Sequence, residues 1–210
     1  MLRSALIGIL AVLMASAVSA EERLVKAGAV FPMLDKFYAT APAERSLLSP
    51  NFTVLRDGKP APDVHLSLVV EGRRTPLPLG PDGRLERLPT AAELAAGAQV
   101  AIDAAKGSLG MKIDLNAAIR PATEISANDC QRAISQANAF VHHAAGLLAM
   151  AAPQVKAATF PGAGSGVAVM PDGKVISLPL ANGAPSYDPA AIKGAKTIRL
   201  AKTPSYIGMN

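Results

Sequence analysis

Three histidines, one cysteine and a glycine-rich run that carries a serine are the residues of this 210-residue chain whose types could do chemistry. A hydrolytic metal centre needs three or four convergent His, Asp, Glu or Cys ligands. His142 and His143 are neighbours on a predicted helix, where successive side chains point about 100° apart. Neither has an acidic residue or another histidine three or four positions away, so the pair is not placed to chelate one ion. His65 falls on the outward face of a predicted strand. All three are read as surface histidines, and no metal or other cofactor is expected.

The run Phe160-Pro161-Gly162-Ala163-Gly164-Ser165-Gly166 invites comparison with phosphate loops and nucleophile turns. It has no Gly-Lys-Ser/Thr ending for a phosphate, and Ser165 has Ala163 and Val167 where a nucleophile elbow needs glycines. A dinucleotide fingerprint fails as well, because Val167 to Met170 reads as a strand rather than a helix. The run is expected to be a turn between strands, with Ser165 and nearby amides as a minor anion-binding alternative. Among the carboxylates, Asp35, Glu44, Asp103, Asp114, Glu124 and Asp129 lie outside obvious turns, and no pair stands out. No catalytic residue is therefore assigned. Eight aromatic residues and no tryptophan make poor platforms for a sugar.

Cys130 is the only cysteine, which excludes an internal disulfide. It sits on the apolar face of the predicted long helix and is read as a buried structural thiol rather than a reactive one. The net charge of +5 is spread over Arg73-Arg74, Arg84 with Arg87, and Lys193, Lys196, Arg199 and Lys202. Without interleaved aromatics, these residues do not suggest a nucleic-acid partner. Contact with an anionic envelope surface is compatible with the sign of the charge.

The elements that would position these residues begin with a leader. Residues 1–20 hold 15 apolar residues and one charge, Arg3, and Glu21-Glu22 follow at once. A basic start, an apolar stretch from Ala5 to Val18 and the small residues Val18-Ser19-Ala20 form a secretory signal, with cleavage expected after Ala20. The stretch is shorter than the ~20 residues of a spanning helix. The protein is thus expected to be periplasmic or secreted, with no transmembrane segment after cleavage.

Beyond the leader the chain echoes itself. Pro81-Asp82-Gly83-Arg84-Leu85-Glu86-Arg87-Leu88-Pro89 has a counterpart ninety positions on, Pro171-Asp172-Gly173-Lys174-Val175-Ile176-Ser177-Leu178-Pro179. Each Asp-Gly is expected to supply the positive φ angles of a tight hairpin turn. Thr90 to Gly97 and Asp188 to Gly194 each predict a short capped helix, the first through a Thr90/Glu93 capping box. A strand should follow each glycine, at Gln99 to Asp103 and at Lys196 to Leu200.

Val64, Leu66, Leu68 and Val70 alternate as in a half-buried strand, and Pro76 and Pro78 confine the next strand to an edge. Cys130, Ala133, Ile134, Ala137, Phe140, Val141, Ala144, Leu147 and Leu148 mark a helix from about Ser126 to Ala152. Tyr206, Ile207 and Met209 should tuck against the body, with a docking tail as the alternative.

The expected fold class is α+β. It comprises two tandem related units of mainly antiparallel sheet with short helices, plus the long amphipathic helix packed on the sheet. Residues 21–120 would form the first unit and 121–210 the second, together able to make one compact domain. The function expected is a non-catalytic binding or protein-interaction module of the envelope, with an envelope protein or a small ligand as partner. The alternatives are a hydrolase or transferase using residues such as His142, His143, Ser165 and Asp129, and a structural or assembly factor working through strand edges or its tail.

Overall fold

The computed structural model describes residues 22–104, 107–145 and 154–210. The expected leader and the expected end of the long helix, with Leu147 and Leu148, lie outside the described residues. In chain order the elements begin with β1 (Arg23–Lys26), α1 (Ala27–Val30), α2 (Leu34–Ala39) and a 3₁₀ turn (Pro42–Arg45). There follow β2 (Leu48–Arg56), β3 (Lys59–Pro60), β4 (Leu66–Val70), β5 (Arg73–Pro76), α3 (Ala91–Ala95), β6 (Gln99–Ile102) and β7 (Leu109–Ala117). The rest are β8 (Glu124–Ser126), α4 (Ala127–Ala145), β9 (Ala158–Thr159), β10 (Gly166–Val169), β11 (Val175–Ser177), β12 (Leu180–Ala181), β13 (Ala184–Tyr187), β14 (Thr197–Leu200) and β15 (Gly208–Met209).

The fold is mixed α+β, with antiparallel sheets and one long helix packed on them. Two four-stranded sheets share one order: β1-β6-β4-β5 in the first and β8-β14-β10-β11 in the second. Leu66 faces Ile102 and Val69 faces Gln99 in the first. In the second, Gly166 faces Leu200 and Val169 faces Thr197. Each outer strand runs straight into a helix whose first residue, Ala27 or Ala127, is 1% exposed. The N–H of Ala27 donates to Ala98 O at 2.9 Å, and that of Ala127 to Lys196 O at 3.2 Å.

The third sheet has seven strands in the order β12-β13-β9-β15-β7-β2-β3. Its longest pairing, β2 with β7, runs from Leu48 opposite Ala117 to Arg56 opposite Leu109. At its centre β15 lies antiparallel to β7, with Gly208 opposite Asn116, and also pairs with β9. The C-terminal segment is thus a strand paired on both sides, a tighter arrangement than a tail tucked onto the surface. Its backbone is committed to the sheet at Gly208 and Met209.

Helix α4 obeys its 3.6-residue pattern: Cys130, Ala133, Ile134, Ala137, Phe140 and Ala144 are all buried. It begins one residue later than expected, because Ser126 belongs to β8 and serves as the cap, its Oγ accepting from the Asp129 N–H at 3.2 Å. The stripe serves two cores. Ala137, Phe140 and Ala144 pack with Phe31, Phe37 and Leu68, whereas Cys130, Ala133 and Ile134 pack with Phe160, Tyr187 and Ile198. Phe37 and Phe140 meet edge to face with ring centres 5.7 Å apart.

The Thr90/Glu93 capping box forms as expected, with the Glu93 N–H donating to Thr90 Oγ1 at 3.2 Å and the Thr90 N–H donating to Glu93 Oε2 at 2.7 Å. The helix expected from Asp188 to Gly194 does not form. Asp188 Oδ1 accepts from the Ala190 N–H at 2.8 Å, but the segment stays a hydrogen-bonded turn. It lacks the glutamate that closes the box in α3, so the cap has one arm instead of two.

Both Pro-Asp-Gly turns close in the same way. Gly80 N–H donates to Arg84 O at 2.8 Å and Met170 N–H to Lys174 O at 2.8 Å. Only the glycines, Gly83 and Gly173, take positive φ; Asp82 and Asp172 do not, contrary to the sequence expectation for Asp-Gly. Full strands flank the second turn alone. Around the first there are only isolated bridges, Leu79 to Leu85 and Thr53 to Arg84, since Pro76 and Pro78 lack the N–H groups a ladder needs. β5 lies at a sheet edge, as those prolines require.

Candidate functional site

The residues singled out by chemistry are dispersed. His65 is exposed ahead of β4, and Ser165 is exposed in the turn between β9 and β10. Asp129 pairs with Arg132 at 3.5 Å and Glu124 with Arg199 at 2.9 Å, both on the surface. Among the described residues, no group of three or more His, Cys, Asp or Glu is placed to hold a metal. Cys130 has no exposed surface, and burial, reinforced by the neighbouring Asp129 charge, pushes its thiol up to about 12.

His142 and His143 are both exposed on α4, and His143 lines an open recess of about 680 Å³ with Thr40, Glu44, Ser135 and Gln136. Most of that polar lining is already engaged. Gln136 Oε1 accepts from the Leu47 N–H at 2.8 Å, and its Nε2 donates to Ala43 O and Ser46 Oγ. Ser135 Oγ donates to Gln131 O, and Thr40 Oγ1 to Lys36 O. The Gln136 bonds fasten the 3₁₀ turn and the residues just after it to α4. Farther along the helix, Asn138 binds both backbone groups of Val155, donating to its carbonyl and accepting from its N–H, each at 2.8 Å.

A second cleft, of about 380 Å³, lies on the seven-stranded sheet where β7 meets β15 and β9. Strand alternation brings Lys112, Asp114 and Asn116 to one face of β7. Thr159, Asn182 and Tyr206 complete the rim. Lys112 and Asp114 pair with each other at 2.9 Å. Asn116, on the floor, is 9% exposed, and its amide makes no side-chain hydrogen bond among the described residues. An amide that opens into a cleft without a protein partner is free to hydrogen-bond a ligand.

Gly208 makes the floor possible. A Cβ there would stand 2.7 Å from Thr159 Oγ1 and 3.3 Å from the Tyr206 ring. The absence of a side chain lets Thr159 close over β15. Tyr206 is held from behind by the guanidinium of Arg84, 3.9 Å from the ring centre.

Of this cleft, sequence reasoning had picked out Asp114, as an isolated acid, and Tyr206, as part of the tail. The signal that marks Asn116 is its type: asparagine is depleted in strands, yet here it sits inside an alternating strand pattern. Comparison with known proteins adds no family: no family model, no curated protein and no solved structure matches the chain.

Proposed function

We propose that the protein is an exported, non-catalytic binding module of the cell envelope, periplasmic or secreted, that holds an amide-bearing ligand in the cleft between β7 and β15. The observation that carries this reading is the Asn116 side chain on the cleft floor: the residue is largely buried, and its amide faces the cleft with no hydrogen-bond partner among the described residues. One amide edge offers a donor and an acceptor side by side, which complements the donor and acceptor of another amide. Lys112, Asp114 and Thr159 surround it with further polar groups, so a short peptide or a small polar amide suits the cleft better than an apolar body.

The two halves of the chain are read as related units. The common strand order of the four-stranded sheets and the like Pro-Asp-Gly turns support that reading. The cleft then falls on their seam.

The test uses N-acetylglycinamide and N-acetyl-glycyl-glycinamide as probes, followed by saturation-transfer NMR. Binding to the unaltered protein and loss of binding in Asn116→Leu, with near-ultraviolet circular dichroism unchanged, is the expected result. No binding of either probe, or equal binding by Asn116→Leu, overturns the proposal. Should Asn116→Leu lose its fold, Asn116→Asp removes the donor while keeping size, and it is expected to weaken both probes.

A further inference from the structure

A third recess, of about 240 Å³, opens between the sheet of β1, β6 and β4 and the start of β7. Val30, Val54, Leu66, Ile102 and Met111 line it, and Arg23 is the one charged residue in its wall among the described residues. Over the second four-stranded sheet α4 runs on for nineteen residues and packs Cys130, Ala133 and Ile134 into the core. Helix α1 stops after four residues at Val30. A single helical turn leaves the first sheet partly uncovered.

The side chain of Arg23 is in an unusual state. Its Nε is shut off from solvent and meets no hydrogen-bond acceptor among the described residues. Salt bridges occupy Arg56, Arg74, Arg84, Arg87, Arg132 and Arg199, and among the described residues none involves Arg23. Arg23 as a whole is only partly buried where it lines the recess, so a carboxylate there can pair with the accessible part of its guanidinium through charge-assisted hydrogen bonds. The aliphatic walls ask for the opposite chemistry from the same ligand.

We infer that this recess binds a small amphipathic carboxylate, of the medium-chain fatty-acid type, with its carboxylate on Arg23 and its alkyl chain against Val30, Leu66, Ile102 and Met111. The site is separate from the cleft at Asn116, so either can stand without the other.

Isothermal titration of the full chain with octanoate and with octanamide, its neutral counterpart, tests the inference. Octanoate is expected to bind about tenfold more tightly than octanamide, the size of effect set by one charge-assisted hydrogen-bonded pair. Arg23→Gln should erase that preference while leaving octanamide affinity unchanged, and Val30→Phe should fill the recess and abolish both. Equal affinity for the two probes, a preference that survives Arg23→Gln, or no binding of octanoate overturns it. If Val30→Phe unfolds the protein, Ala29→Leu adds bulk at the recess wall, and octanoate is expected to weaken there too.

Discussion

The guanidinium carbon of Arg84 stands 3.9 Å above the centre of the Tyr206 ring, and Arg84 Nε is 3.0 Å from Asp82 Oδ2. Arg84 follows the first Pro-Asp-Gly turn, and Tyr206 leads into β15, so one side chain joins the early part of the chain to its final strand. A cation over a tyrosine face at a partly exposed site contributes about 0.5–1 kcal/mol. A double-mutant cycle of Arg84→Met and Tyr206→Leu, followed by urea denaturation, should give a coupling of that size. Additive losses would mean that the stacking contributes nothing.

The two Pro-Asp-Gly turns share their hydrogen bonds but not their surroundings. Gly83 has φ 73°, and a Cβ there would stand 2.9 Å from Val54 O and 3.0 Å from Ala61 N; Gly173 has φ 85° and open space around it. Gly173→Ala carries only the left-handed penalty, about 1–2 kcal/mol. Gly83→Ala adds a backbone clash, with a further cost of about 1–3 kcal/mol. Thermal unfolding of the two variants should therefore rank Gly83→Ala as clearly the more damaging.

Acid should weaken the start of α3. Burial of Glu93 works against its ionisation, but the Thr90 N–H, the Arg87 guanidinium and the Thr90 hydroxyl outweigh it and hold the carboxyl below the usual range. A carboxyl depressed in the folded state stabilises fully above its unfolded value, about 4.3, and the contribution is lost as pH falls through the folded value. The stability gap between the unaltered protein and Glu93→Gln should be largest near neutral pH and close in strong acid. A gap independent of pH would show that the box acts without its charge.

Cys130 offers a direct probe of global opening. With its thiol buried and raised to about 12, alkylation by iodoacetamide at mildly alkaline pH should be negligible in the folded protein. In urea the thiol returns to about 8.5 and should react readily. Fast labelling without denaturant would contradict the packing of α4 against Phe160 and Ile198.

Periodicity and turn chemistry made much of the fold legible. The stripe from Cys130 to Ala144, the alternation around Leu66 and Leu68, the edge set by Pro76 and Pro78, and the Thr90/Glu93 box are local patterns with local causes. Left-handed Asp57-Gly58, Glu71-Gly72 and Asn182-Gly183 pairs close three further hairpins. The seven-stranded sheet was not legible. It depends on pairings such as Gly208 with Asn116 and Gly208 with Thr159, which join segments far apart in the chain and leave no periodic trace in either. Both candidate ligand sites were hidden for the same reason. Asn116 and Arg23 stand out only once their neighbours are known, because nothing in their flanking residues shows that one lacks a hydrogen-bond partner and the other a counter-charge.

The place of β15 has a kinetic consequence. Until Gly208 reaches Asn116, strand β7 has one side unpaired and the seven-stranded sheet remains in two pieces. Pairing that waits on a distant segment is slow to form, so seam closure is expected as the late, rate-limiting event of folding. An unzipped seam also leaves the long β2–β7 ribbon with an open edge, the form in which chains of this kind join to one another. Two residues of strand thus stand between a finished monomer and an aggregation-prone intermediate.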